Sequence, residues 1–151
     1  MAGGNALLRA YYYNCMPYQG NPPTQEESER YARARRFMDA LSRLPRFEIR
    51  LGKLEYRGID ATDGKQIFEQ KRVDIMLGVD MVLLAAKQRI DRAAILTGDS
   101  DFIPALKVAK IEGILVHLYH GDPASVHREV WTEADDRTRI DAPVIEQIRM
   151  R

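Results

Sequence analysis

The chain has 151 residues, 45% of them hydrophobic and 30% charged, with a formal net charge of +1. That is one ordinary domain, long enough to bury roughly 70% of its unfolded surface, and its mixture excludes wholesale disorder. No apolar run approaches the ~20 residues of a membrane span, residues 1–8 lack the pattern of a secretory signal, and the single cysteine, Cys15, excludes an internal disulfide and a zinc-spaced Cys/His set. The expectation is a soluble cytoplasmic domain with no membrane role.

Strands and helices alternate along the chain. Residues 6–14 (ALLRAYYYN) are rich in aliphatics and aromatics and read as a strand. Pro17 and Asn21-Pro22-Pro23 mark a loop. Thr24 then caps a helix, with Glu27 completing a capping box. Tyr31, Ala34, Phe37, Met38 and Leu41 form its buried stripe, and Pro45 forces its end. Residues 47–55 alternate apolar and polar and predict a strand, and 56–70 a turn or short hairpin.

A second helix is expected over 73–88. Residues 93–97 (AAILT) form a short apolar strand of the kind buried on both faces of a parallel sheet. A helix over 102–112 is closed by Gly113. A strand over 114–119, a helical stretch over 123–135 and a short C-terminal helix from Pro143 complete the chain. The order predicts a doubly wound α/β sandwich with a mostly parallel sheet, in a single domain whose residues 136–151 are a tail or short helix.

Charge is unevenly divided. Residues 1–72 hold 13 Lys/Arg against 9 Asp/Glu, whereas the rest of the chain is net acidic. Nine basic residues crowd into 30–57, among them Arg33 and Arg36. This pattern suits either a solvated arginine-rich helix face or a surface that holds a polyanion.

The most informative stretch is Ile95-Leu96-Thr97-Gly98-Asp99-Ser100-Asp101-Phe102. An apolar strand runs into small polar residues and then a helix, and ligands of open α/β sheets bind beyond the carboxyl ends of such strands. Two carboxylates two residues apart repel unless a cation or proton lies between them, and oxygen donors of this kind suit Mg²⁺ or Mn²⁺. A capping role for Asp99 or Ser100 explains one of these residues but not both aspartates. On the preceding helix Asp80 falls among Val73, Leu77 and Leu84, where an unpaired carboxylate is costly. Asp74, at the helix start, suits an N-cap as well as a catalytic role.

Gln70-Lys71-Arg72-Val73-Asp74-Ile75, Gly78-Val79-Asp80 and Thr97-Gly98-Asp99-Ser100-Asp101-Phe102-Ile103-Pro104 together resemble the NYN domain of the PIN-like nuclease superfamily. The resemblance runs from Arg9-Ala10-Tyr11-Tyr12-Tyr13 to about Asp135. It implies a three-layer α/β/α sandwich and a metal-dependent ribonuclease, usually an endonuclease. It makes Asp80, Asp99, Asp101 and Asp74 the catalytic set, with Asp80, Asp99 and Asp101 holding Mg²⁺ or Mn²⁺. Ser100, Lys71, Arg33 and Arg36 are the candidates for binding substrate, a single-stranded or structured RNA. A homo-oligomer is compatible with this reading.

One departure is notable. The family normally opens with a central strand ending in an aspartate, and residues 1–5 are too short and carry no acid. Residues 6–14 match the family's second strand, so the first strand is expected to be lacking, with a gap between residues 6–14 and 93–97. This departure keeps open an alternative, a non-catalytic RNA- or protein-binding module. A phosphatase of the haloacid-dehalogenase type is disfavoured because the N-terminal region has no DxD motif. His117, His120 and His127 are too scattered for a metal triad, and Tyr11, Tyr12, Tyr13 and Trp131 read as packing residues.

Overall fold

The computed structural model describes residues 6–149. The chain divides into two compact units, residues 1–77 and 78–151. Residues 1–5, judged too short for the family's first strand, lie outside the described residues.

In the first unit, β1 (Ala10–Asn14) pairs in parallel with β2 (Phe47–Leu51). α1 (Gln25–Ser42) makes the crossover that a parallel pair requires. The capping box is present: the Thr24 hydroxyl accepts from the Glu27 N–H, and the Glu27 carboxylate accepts from the Thr24 N–H at 2.8 Å. The helix stops at Ser42, just before the Pro45 region, as expected. Tyr12 meets Phe37 of α1 edge-on at 5.9 Å. Tyr11 stacks on Tyr13, and Arg50 lies over Tyr11 at 5.4 Å. These three tyrosines are half-buried packing residues.

The stretch expected as one strand over 47–55 breaks at Gly52. A β-carbon there would stand 2.4 Å from the Lys71 carbonyl oxygen and 2.6 Å from Val73 Cγ2, so only glycine fits. Beyond it, β3 (Lys53–Ile59) and β4 (Gln66–Lys71) form an antiparallel hairpin. Cys15 is buried beside Gly52, and burial pushes its thiol pKa up, with the charge of Asp74 adding to the rise and a hydrogen bond from the Lys71 backbone opposing it.

α2 (Val73–Ala86) follows and carries the chain into the second unit. There β5 (Arg92–Ile95), β6 (Leu115–His120) and β7 (Asp136–Arg139) form a parallel sheet in that order. α3 (Ile103–Ile111) and α4 (Arg128–Glu133) pack with it around Leu106, Val116, Leu118 and Val130, all fully buried. Trp131 meets buried His120 edge-on at 4.9 Å, a packing role as expected. α5 (Ala142–Arg149) closes the described chain.

Two expectations about this sheet need correction. Residues 93–97 were expected inside the sheet, buried on both faces. Among the described residues β5 pairs with β6 alone, and only Ala93 and Ile95 are buried while Arg92 and Ala94 are exposed. Alanine and a flanking arginine satisfy an apolar run without requiring two covered faces. The second correction concerns residues 136–151, expected as a tail or short helix: the helix is α5, but Asp136–Arg139 form β7. This strand has no apolar residue; its register comes from Asp135, whose carboxylate and N–H both bond the backbone of Val116.

The capping box predicts a pH-dependent contribution. Backbone hydrogen bonds from Thr24 and Gly20 hold the Glu27 carboxyl below its usual range. Its stabilisation is therefore present above the unfolded-state pKa and fades as pH falls through the lower folded-state value. Thr24→Ala should cost about 1 kcal/mol at neutral pH. In urea unfolding, the gap between wild type and Glu27→Gln should narrow below about pH 4.

Candidate active site

The loop between β5 and α3 is built by steric exclusion. A β-carbon on residue 98 would stand 2.4 Å from the Ser125 carbonyl oxygen, so the chain passes here only as glycine. The Gly98 carbonyl then accepts from the His127 N–H at 2.9 Å, which ties the loop to the segment leading into α4. Thr97 supports the turn by accepting from the Asp99 N–H at 3.2 Å.

Asp99 caps a single 3₁₀ turn, Ser100–Phe102, with its Oδ1 accepting from the Asp101 N–H at 2.9 Å. Asp99 and Asp101 are both exposed on this turn, while Phe102 and Ile103 behind them are buried. The structure thus brings two of the expected acids together just past the carboxyl end of a parallel strand. Ser100 is half-buried, and its carbonyl accepts the Ile103 N–H as the turn passes into α3.

The other acids stand apart in role. Asp80 is half-buried on α2, a helix whose buried residues are Val73, Met81 and Ala85. Asp74 lies in the first turn of α2, exposed, and belongs to the first unit. There it borders a groove of about 340 Å³ that Glu55, Glu69, Lys71 and Arg72 also line. Lys71, a candidate for binding substrate, pairs with Glu55 at 3.8 Å and Glu69 at 3.7 Å. Sequence reasoning missed these glutamates because they come from the two strands of the hairpin, 14 positions apart, and meet only through its register. Arg33 and Arg36 are exposed on α1 and, with Arg43, form no ion pair among the described residues.

Asp80, Asp99 and Asp101 were expected to converge. Among the described residues no three His, Cys, Asp or Glu side chains are grouped closely enough to hold a metal ion. One oxygen of Asp99 is committed to its cap. Asp99 and Asp101 remain as hard, solvent-exposed oxygen donors, of the kind that suits a hydrated Mg²⁺ or Mn²⁺ rather than a closed protein cage.

Parallel strands joined through helices, with acids on a loop at a strand's carboxyl end, define an α/β protein of the PIN-like kind. The sequence matches the NYN domain over residues 2–141, and the chain belongs to that family. Among solved structures it is similar to a protein of unknown function from Vibrio parahaemolyticus, with a TM-score of 0.54 and 22% identity. The match covers 73% of this chain and 62% of that one, and is a likeness of fold. No curated protein matches it. No helix among the described residues is long and apolar enough to cross a membrane.

The clamp at Gly98 can be tested directly. Gly98→Ala should lower stability by about 1–3 kcal/mol, because backbone must move to admit the methyl group. Gly121→Ala, where nothing lies within 4 Å of the added carbon, should stay within about 0.5 kcal/mol of wild type. Thermal unfolding of the two variants reads the difference.

Proposed function

We propose that this protein is a ribonuclease that hydrolyses RNA phosphodiester bonds with the help of Mg²⁺ or Mn²⁺, acting as an endonuclease in the cytoplasm. The observation that carries this reading is the position of Asp99 and Asp101 on the exposed turn after β5, in a chain of the NYN family. Asp99 and Asp101 would hold the ion, and Asp80 and Asp74 are the further catalytic candidates. Such an ion, when bound, supplies charge neutralisation at the phosphate and a more acidic water.

The chain's own residues do the rest. The cap fixes the rotamer of Asp99 before substrate arrives, leaving its second oxygen without a hydrogen-bond donor among the described residues. Ser100 is the candidate to orient water or phosphate. Arg33 and Arg36 supply free positive charge for the RNA backbone, whereas Lys71 must first exchange its glutamate partners. Those glutamates make Lys71 the weaker candidate of the three.

A second reading is a module that binds RNA without cutting it. The lack of a three-carboxylate group among the described residues favours it. Cleavage of labelled single-stranded RNA in Mn²⁺ separates the two. Asp99→Asn and Asp101→Asn should each slow cleavage at least about a hundredfold with binding retained. Wild-type binding without cleavage would favour the second reading.

The arginines make a separate prediction. Replacing both Arg33 and Arg36 by alanine should weaken binding of single-stranded RNA and lower the slope of log affinity against log salt by about 1.4. An unchanged slope would remove them from the substrate path.

A further inference from the structure

The β3–β4 hairpin has two unlike faces. On one, Glu55 pairs with Lys53 at 3.1 Å, Arg57 at 3.2 Å and Lys71 at 3.8 Å, and Glu69 pairs with Arg57 and Lys71. Every charge on the strands lies in this network. The register places Leu54, Tyr56, Gln66, Phe68 and Gln70 on the other face, which carries none. Ile59 joins them because a bulge between Tyr56 and Gly58 shifts the alternation by one residue, and Gly58 takes the positive φ of 119° there.

Tyr56 and Phe68 stand directly opposite one another. Both meet Tyr18 from the loop after β1, and the three ring centroids lie 5.1–5.9 Å apart. Yet Tyr56 remains 42% exposed and Ile59 62% exposed. The cluster therefore holds an aromatic ring firmly while leaving much of it in solvent, on a strand pair where exposed glutamines flank Phe68 on either side.

We propose that this face is a stacking platform for the unpaired bases of single-stranded RNA; the inference rests on the RNA-directed reading above. Every base has a π-face, so a supported tyrosine takes any of them. Gln66 and Gln70 carry both donors and acceptors, as base edges do. Charge favours a polyanion: residues 1–77 hold 13 Lys/Arg against 10 Asp/Glu, and Arg33 and Arg36 on α1, with Arg43 at its C-cap, form no ion pair among the described residues. A peptide occupant would instead use Ile59 as its apolar anchor.

The test is fluorescence anisotropy, without divalent ions, of a short labelled oligouridylate and of a duplex RNA. Tyr56→Ala should weaken single-strand binding about tenfold, leave duplex binding unchanged, and be rescued by Tyr56→Phe; Ile59→Ser should change it less than about twofold. Photo-crosslinking of iodouridine RNA to the wild-type protein should place an adduct on Tyr56, a readout that does not depend on how the alanine variant folds. Unchanged affinity in Tyr56→Ala, an equal loss for duplex, a loss in Ile59→Ser as large as in Tyr56→Ala, adducts only elsewhere, or a dimer in sedimentation that Tyr56→Ala dissolves would each overturn the platform. If wild type binds RNA but Tyr56 is indifferent, the RNA reading stands and the platform falls. Wild type that binds neither RNA overturns the RNA reading and the platform with it.

Discussion

The Ser125 carbonyl oxygen occupies the space that a side chain on residue 98 would need. That close approach governs how the exposed turn after β5 is placed in the second unit. Because residue 98 is glycine, the chain leaving β5 can lie against the Ser125–His127 backbone, and the Gly98 carbonyl can accept the His127 N–H. From that anchored point the chain has room for one 3₁₀ turn before Phe102 and Ile103 enter the core. Asp99 and Asp101 are exposed because the apolar pair that follows them is buried. Their position is thus a consequence of packing around a glycine.

A comparable constraint shapes the first unit. Gly52 lets the chain cross close to Lys71 and Val73, which separates β2 from β3 and starts the hairpin. The same crossing buries Cys15 and leads β4 directly into α2. Two glycines therefore stand where a strand must hand over to an element that carries candidate chemistry. Neither has a positive φ; what each supplies is the absence of a β-carbon.

Much of this was legible in the residues. The Thr24–Glu27 capping box and the alternation of strands with helices are local patterns that need no tertiary information. So is the turn from β5 into Asp99. Of the stripe expected on α1, by contrast, only Met38 is buried and Phe37 is exposed. What escaped depends on partners distant in sequence. Asp136 to Arg139 has the composition of a loop and becomes a strand because Asp135 grips Val116 and Arg137 bonds the Trp131 and Ala134 carbonyls. The glutamates around Lys71 come together through hairpin register. The run at 93–97 looked doubly buried because hydrophobicity reports that residues tolerate burial, not that both faces are covered; Ala94 and Leu96 are exposed.

Asp99 shows why capping and ligand roles need not compete. A carboxylate has two oxygens and about four acceptor positions. The cap uses one of them on the Asp101 N–H, 2.9 Å away. That bond holds the side chain in one orientation. It also sets a backbone N–H dipole against the negative charge, which eases the repulsion expected between acids two residues apart. An unrestrained aspartate on an exposed loop would lose rotamer freedom on taking up a cation or a water; a capped one has already lost it on folding. The short turn therefore acts as a positioning device for Asp99. It also explains the spacing of the motif: Asp101 contributes its N–H to the cap and its own carboxylate to the same exposed turn, so two residues apart is the separation at which one acid orients the other.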